Sequence, residues 1–188
     1  MSIFLTDIKL CYNYLSFFKQ GIQLHNINYI VRISLIAAIY VTINIIFTPI
    51  SYGPIQIRIA ETLAVLPFID PAAIGGLFLG CILSNLWGGL GIVDVMGGSL
   101  CTLLAAILTY HTNKPLLAPF PPVIVNALGV SLYLHLLFEL PYFLTVLYIA
   151  VGQTIACYLF GYPLLIVLLK RKIWSHGSYK IKQNNDTL

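Results

Sequence analysis

Long apolar runs separated by short polar breaks constrain this chain more than any other feature. Between residues 33 and 169 the charged side chains are Arg58, Glu61, Asp70, Asp94, Lys114 and Glu139. Over all 188 residues, 59% are hydrophobic and 9% are charged, whereas a soluble domain carries roughly 25% charged residues. A soluble fold of this length could not bury so much apolar surface. We therefore expect an integral membrane protein and exclude soluble enzymes and nucleic-acid binders.

Six of the runs are candidate transmembrane helices, which makes the expected fold class an all-α membrane protein. A helix that spans the hydrocarbon core needs about 20 apolar residues. The six predicted helices cover residues 30–48, 56–69, 71–87, 91–110, 122–138 and 141–169. They form a predicted transmembrane domain over residues 30–170. Residues 1–29 are a leader, either an amphipathic surface helix or an unstructured segment, and residues 171–188 are a basic tail.

The distribution of Lys and Arg predicts how the chain is oriented in the cell membrane. With six helices, both termini lie on the same side. That side holds Lys9, Lys19, Arg32, Lys114, Lys170, Arg171, Lys172, Lys180 and Lys182. The other side holds only Arg58. Because cytoplasmic loops carry the excess of basic residues, both termini and the loop at Lys114 are expected in the cytoplasm.

Acidic residues inside membrane spans are costly and are candidates for function. Asp70 has a structural explanation, since it precedes Pro71 and can cap the third predicted helix. Glu61, Asp94 and Glu139 each lie near the outer end of a helix that enters from outside. We therefore expect these three carboxylates at similar depth.

Nearby polar residues extend this predicted layer. They are Asn85, Gln56, Arg58 and Tyr52, with Gln153 closer to the membrane midplane. Together with the three acids they predict an outward-facing pocket for a polar small molecule, lined by Glu61 and Asp94.

Several of these residues also have a simpler explanation. Arg58 and Glu61 are three residues apart and can pair along one helix. Asp94 and Glu139 can stabilise helix N-termini, and the aromatic residues can form an interfacial belt. A shared site accounts for all of them at once.

Motifs for other chemistries are missing from the sequence. It contains no G-x-x-x-x-G-K-[ST] loop for nucleotides and no G-x-S-x-G or H-E-x-x-H motif for hydrolysis. The four cysteines and four histidines do not have the spacing of a metal site. We expect a chain that is not an enzyme, hydrolyses no ATP, and holds neither a metal nor a cofactor.

Small residues recur every four positions in the first predicted helix, at Ser34, Ala38 and Thr42, beside Ala37. This spacing lets two helix backbones approach closely. The contact is either within the bundle or with a partner protein, and the sequence alone does not decide between them.

Several segments of the chain resemble the QueT family. They are residues 51–58 (SYGPIQIR), 61–67 (ETLAVLP), 71–74, 76–81, 85–94, 98–100, 117–119, 121–127, 157–158 and 161–164. The resemblance covers residues 32–170. It is most specific in the first half, where polar residues of this kind are unusual for membrane spans.

The resemblance implies a substrate-binding S component of an energy-coupling factor (ECF) transporter. Such a component captures a queuosine precursor, for example 7-aminomethyl-7-deazaguanine, outside the cell. It works with a transmembrane coupling protein and two ATPase subunits. The resemblance also implies docking on the coupling protein through the first helix, in the register of Ser34 and Ala38 or of Ala37 and Val41.

Three other functions are compatible with parts of the sequence. The first is an S component for another small vitamin or purine-like solute. The second is an intramembrane enzyme, which would need a nucleophile and a base within reach of each other. The third is a structural subunit without a ligand, in which the acids serve assembly or stability.

Overall fold

The computed structural model describes residues 27–48 and 58–171, and every regular element in these ranges is helical. Four helices are long and apolar enough to cross a membrane, namely Ile27–Ile46, Ile92–Tyr110, Pro115–Phe138 and Tyr142–Arg171. Two shorter apolar helices, Ile59–Phe68 and Ala72–Gly88, complete the set. The prediction of a six-helix membrane protein is confirmed. The leader before residue 27 and the tail after Arg171 lie outside the described residues.

The second helix, Ile59–Phe68, is a 3₁₀ helix and lies at the centre of the bundle, with eight of its ten residues buried. A 3₁₀ helix rises roughly 2.0 Å per residue, so ten residues cover about 20 Å, against about 15 Å for an α-helix. Pro67 lacks the N–H that an α-helix would use at this position. The extended geometry lets a short segment reach further across the bundle.

The first helix packs on the third helix, Ala72–Gly88, through glycines. A Cβ at Gly76 would lie 2.8 Å from the Cβ of Ile36, and a Cβ at Gly80 would lie 2.9 Å from the Cβ of Tyr40. Gly76 and Gly80 are four residues apart, as are Ile36 and Tyr40, so one face of each helix runs along the other. This G-x-x-x-G face brings the backbones into close contact and fixes the direction in which Tyr40 points.

The fifth helix, Phe120–Phe138, follows a short 3₁₀ turn at Pro115–Leu117. The sixth is interrupted: Tyr142–Thr154 and Tyr162–Arg171 are α-helical, and Ile155–Gly161 is a π-helix. The π-helix packs on the second helix, where the Thr62 hydroxyl donates to the carbonyl of Ala156 at 3.2 Å. Two irregular helices therefore meet beside Glu61.

The turn between the second and third helices is fixed by Asp70. Its Oδ1 accepts from the backbone N–H of Ala72 at 2.9 Å and pairs with Nη1 of Arg32 at 3.2 Å. The carboxylate thus caps the third helix and joins it to the first, as its position before Pro71 predicts.

Candidate functional site

Glu61 projects from the second helix into the interior and is only 1% exposed. The Tyr40 hydroxyl from the first helix donates to Glu61 Oε1 at 2.6 Å. Nδ2 of Asn126 from the fifth helix donates to Oε2 at 3.3 Å. Three helices therefore converge on this carboxylate, and both of its oxygens accept hydrogen bonds.

Asp94 occupies the first turn of the fourth helix, Ile92–Tyr110, and is fully buried. Its Oδ1 accepts from the Tyr133 hydroxyl at 2.6 Å and lies 3.7 Å from Nη2 of Arg58. Arg58, the residue before the second helix, is buried as well. The pairing with Arg58 joins the Asp94 region to the helix that carries Glu61.

Asn85 ties the end of the third helix to the start of the fourth. Its Nδ2 donates to the backbone carbonyl of Asp94 at 3.0 Å. The two helices can approach here because residue 98 is a glycine. A Cβ on Gly98 would lie 2.7 Å from Asn85 Nδ2 and 3.4 Å from the Tyr133 hydroxyl.

We call these residues the polar cluster: Tyr40, Arg58, Glu61, Asn85, Asp94, Asn126 and Tyr133. A cavity adjoins it, lined by Arg58, Glu61, Gly98, Thr102, Asn126, Val130, Ile149 and Gln153. Its volume is about 10 Å³, which is room for about one water molecule. The cavity thus combines a cation, a carboxylate and two amides with apolar walls, as small-molecule sites do.

Three buried acceptor atoms of the polar cluster have no hydrogen-bond partner within residues 27–48 and 58–171. They are Asp94 Oδ2, Asn85 Oδ1 and Asn126 Oδ1. Buried acceptors are nearly always satisfied by protein or water. Three acceptors within one cluster are therefore available to accept hydrogen bonds from water or from the N–H groups of a ligand.

The structure brings together Arg58, Glu61, Asn85, Asp94 and Gln153 of the predicted site. Glu139 stays apart, because it is exposed and follows the fifth helix with a left-handed backbone φ of 54°. Tyr52 and Gln56 lie outside the described residues.

The first helix divides the predicted docking residues between its faces. Ser34 and Ala38 are exposed, as is Thr42 on the same face. Ala37 is buried in the bundle, and Val41 is half-buried. Only the register of Ser34 and Ala38 faces outward.

Tyr40 and Asn126 were not predicted as site residues. A usable signal was present, because a polar residue in the middle of an apolar span is itself a functional candidate. Asn126 follows the apolar run Val123–Val125, and Tyr40 lies within the first helix. Their partner, Glu61, is 65 and 21 residues away in sequence, which local spacing cannot reveal. No group of three His, Cys, Asp or Glu that could hold a metal ion occurs in the described part of the chain.

Comparison with known proteins shows what this chain is similar to. A curated relative, the queuosine precursor transporter QueT of Lactococcus lactis subsp. cremoris (strain MG1363), is 38% identical over 81 residues. The matched region covers 40% of this chain and 45% of the relative, so it spans less than half of that protein. No solved structure matches the chain.

A family-wide comparison covers much more of the chain. The model of the QueT transporter family matches residues 30–170, which includes nearly all of the region from the first helix to the sixth. The match confirms the family that the sequence motifs resemble, and a transporter family agrees with the prediction that the chain is not an enzyme. This chain belongs to the QueT transporter family.

Proposed function

We propose that this protein is the substrate-binding S component of an ECF-type importer, and that it captures a queuosine precursor. Membership of the QueT family and the name of the Lactococcus relative support transport of such a precursor. The absence of a Walker motif from the sequence supports a division of labour in which ATPase subunits are separate chains.

The polar cluster is the observation that carries the proposal. A 7-deazaguanine presents ring N–H and exocyclic amine donors, and the cluster offers the unsatisfied acceptors Asp94 Oδ2, Asn85 Oδ1 and Asn126 Oδ1. The flat ring is expected against the apolar walls at Val130 and Ile149. Hydrogen bonds from a ligand donor to a carboxylate are among the strong ones.

The charges of the site favour a cationic ligand. One buried cation, Arg58, stands against two buried carboxylates, Glu61 and Asp94. When both acids are ionised, one negative charge lacks a cationic counterpart within the cluster, and a buried uncompensated charge is costly. The ammonium group of 7-aminomethyl-7-deazaguanine supplies the missing positive charge, whereas the 7-cyano analogue does not.

Binding requires the site to open. The cavity has room for about one water molecule, so a two-ring heterocycle fits only when the lining side chains move apart. We propose that Arg58, the residue before the second helix, is displaced on binding. Tyr52 and Gln56 are also proposed as contacts of the ligand. Gln153 lies on the opposite wall and is proposed as a further polar contact.

Orientation and partners follow from the same proposal. From the positive-inside rule we propose that Arg32, Lys114, Lys170 and the two termini lie in the cytoplasm. The polar cluster then lies toward the outside, where the solute is captured. We propose that the exposed face with Ser34 and Ala38 docks on the transmembrane coupling protein, which works with two ATPase subunits.

The test is calorimetric titration of the purified protein in detergent with 7-aminomethyl-7-deazaguanine. The 7-cyano analogue, queuine, guanine and a set of vitamins serve as competitors. We expect saturable binding of 7-aminomethyl-7-deazaguanine, displaced by deazaguanines and not by vitamins. Preferential binding of a vitamin would favour the alternative of another S component. If folded protein binds none of these compounds, the proposed substrate is wrong.

A further inference from the structure

Asn126 has two ends in different surroundings. It is 3% exposed, lies on the fifth helix and lines the cavity. Its Nδ2 donates to Glu61 Oε2 at 3.3 Å. Its Oδ1 is buried and has no hydrogen-bond partner among the described residues.

Glu61 determines which end of this amide faces it. A side-chain amide has one donor end and one acceptor end, whereas an ionised carboxylate only accepts. While Glu61 is ionised, the NH₂ group of Asn126 must therefore face it, and the carbonyl oxygen must point elsewhere. Tyr40 holds Glu61 in place by donating to its other oxygen at 2.6 Å.

We propose that Asn126 is a specificity-determining residue whose Oδ1 accepts from one N–H group of the ligand, with Glu61 fixing the amide in that orientation. The proposal rests on the proposed function and deepens it. It assigns to Glu61 a role that acts through Asn126, in addition to its charge. It also narrows the ligand class to heterocycles that present an N–H group to the fifth helix.

Asn126 discriminates between ligands because its Oδ1 is held in one orientation and can only accept a hydrogen bond. A ligand with a ring nitrogen or carbonyl at this place would set two acceptors against each other. A site built to hydrogen-bond a donor rejects analogues that lack it, since the buried polar group is then left unpaired. A freely turning amide would accept either type, so the clamp by Glu61 is what makes Asn126 selective.

The test pairs one variant with three ligands. Binding constants are measured by calorimetry for 7-aminomethyl-7-deazaguanine, its analogue without the exocyclic amine, and its N1-methyl analogue. We expect Asn126→Ala to weaken binding of the parent roughly 10- to 100-fold. For the analogue that lacks the N–H read by Asn126, the same substitution should change Kd less than about threefold, since that hydrogen bond is already missing.

Asn44 supplies a matched control. It is also buried, lies on the first helix, and donates to the Tyr40 carbonyl and Ser84 without lining the cavity. Asn44→Ala makes the same chemical change, so it reports general loosening of the bundle. We expect it to affect all three ligands equally and less than Asn126→Ala does.

Glu61→Gln tests the clamp itself. Glutamine has an NH₂ group that can donate to Asn126 Oδ1. The amide of Asn126 would then be turned over, so that the NH₂ group of Asn126 faces the ligand. We expect this variant to bind the parent no more tightly than the analogue that lacks the N–H read by Asn126.

Three outcomes would contradict the inference. An unchanged Kd for the parent in Asn126→Ala is one, and an equal loss for all three ligands, as expected of packing alone, is another. The third is full retention of the preference in Glu61→Gln. Failure of the folded wild-type protein to bind any deazaguanine would instead contradict the proposed function, and this inference with it.

Discussion

Two fully buried aspartates lie in different regions of this protein, and they differ in how completely their surroundings satisfy them. Asp70 caps the third helix and pairs with Arg32, whose side chain is 21% exposed. Asp94 pairs with Tyr133 and the buried Arg58, and its Oδ2 has no hydrogen-bond partner in the described ranges. Burial alone therefore does not identify a ligand site. We propose that the unsatisfied acceptor beside a buried cation marks Asp94 as part of the ligand site.

The largest expected difference comes from the same substitution at the two aspartates. Asp94→Asn removes the carboxylate opposite Arg58 and leaves a buried guanidinium without this counter-charge, which costs about 3 kcal/mol or more in the free energy of unfolding. Asp70→Asn keeps a capping side chain, and Arg32 can reach water, so we expect a loss of about 1 kcal/mol or less. Denaturant unfolding in detergent measures both. Equal losses would contradict the contrast.

Substitution of glycines on the third helix tests whether close backbone packing holds the first helix in place. Gly76→Ala places a Cβ 2.8 Å from the Cβ of Ile36 and 3.0 Å from the carbonyl of Ile33. We expect a loss of stability of about 1–3 kcal/mol, because the backbones must separate. Gly75→Ala is the matched control, since its nearest contact is the terminal methyl of Ile33 at 3.3 Å. Thermal unfolding should rank Gly76→Ala clearly below Gly75→Ala.

The two tyrosines offer a smaller comparison. Tyr40 and Tyr133 each donate to an acid at 2.6 Å, but only Tyr40 holds the acid that orients Asn126. Tyr40→Phe and Tyr133→Phe each remove the hydrogen bond that holds Glu61 or Asp94 in place. We expect each substitution to weaken ligand binding by roughly 3- to 10-fold. Only Tyr40→Phe should also reduce discrimination against the analogue that lacks the N–H read by Asn126. Calorimetry with both ligands decides whether the roles differ.

The smallest effect is expected at Glu139, which lies outside the polar cluster. Its left-handed backbone, with φ 54°, favours glycine. Glu139→Gly should leave ligand affinity within about twofold. It should stabilise the protein by about 0.5–1 kcal/mol, because relief of roughly 1–2 kcal/mol of left-handed strain outweighs the entropic cost of glycine. A marked loss of affinity would show that this carboxylate takes part in binding after all.

Much of the fold could be predicted, because a succession of apolar runs leaves few alternatives in a membrane. The predicted helix ends that fall on described residues agree with the structure to within about three residues. The 3₁₀ geometry of Ile59–Phe68 and the π-helix at Ile155–Gly161 could not be predicted. Hydrophobic patterns give the position of a helix, but a short run that is buried all round has no periodicity to distinguish three residues per turn from four.

Site residues could be predicted where their type is unusual for a membrane span. They could not be predicted where their position depends on how the helices pack. Glu61, Asp94 and Arg58 could be selected because charges in a membrane span are rare. That Tyr40 and Asn126 meet at Glu61 depends on how three helices pack, which one sequence does not contain. Glu139 is selected for the same reason, but it lies exposed at the end of the fifth helix and outside the polar cluster.

The most direct test of whether the buried acids select a cationic ligand is the charge selectivity of the wild-type protein and of Glu61→Gln. Calorimetry would give Kd for 7-aminomethyl-7-deazaguanine, which is cationic, and for its neutral 7-cyano analogue. We expect wild-type protein to bind the cationic compound roughly 30-fold more tightly or better, and Glu61→Gln to reduce this ratio to about threefold or less. Equal affinities in the wild type, or a ratio unchanged by Glu61→Gln in folded protein, would contradict this expectation.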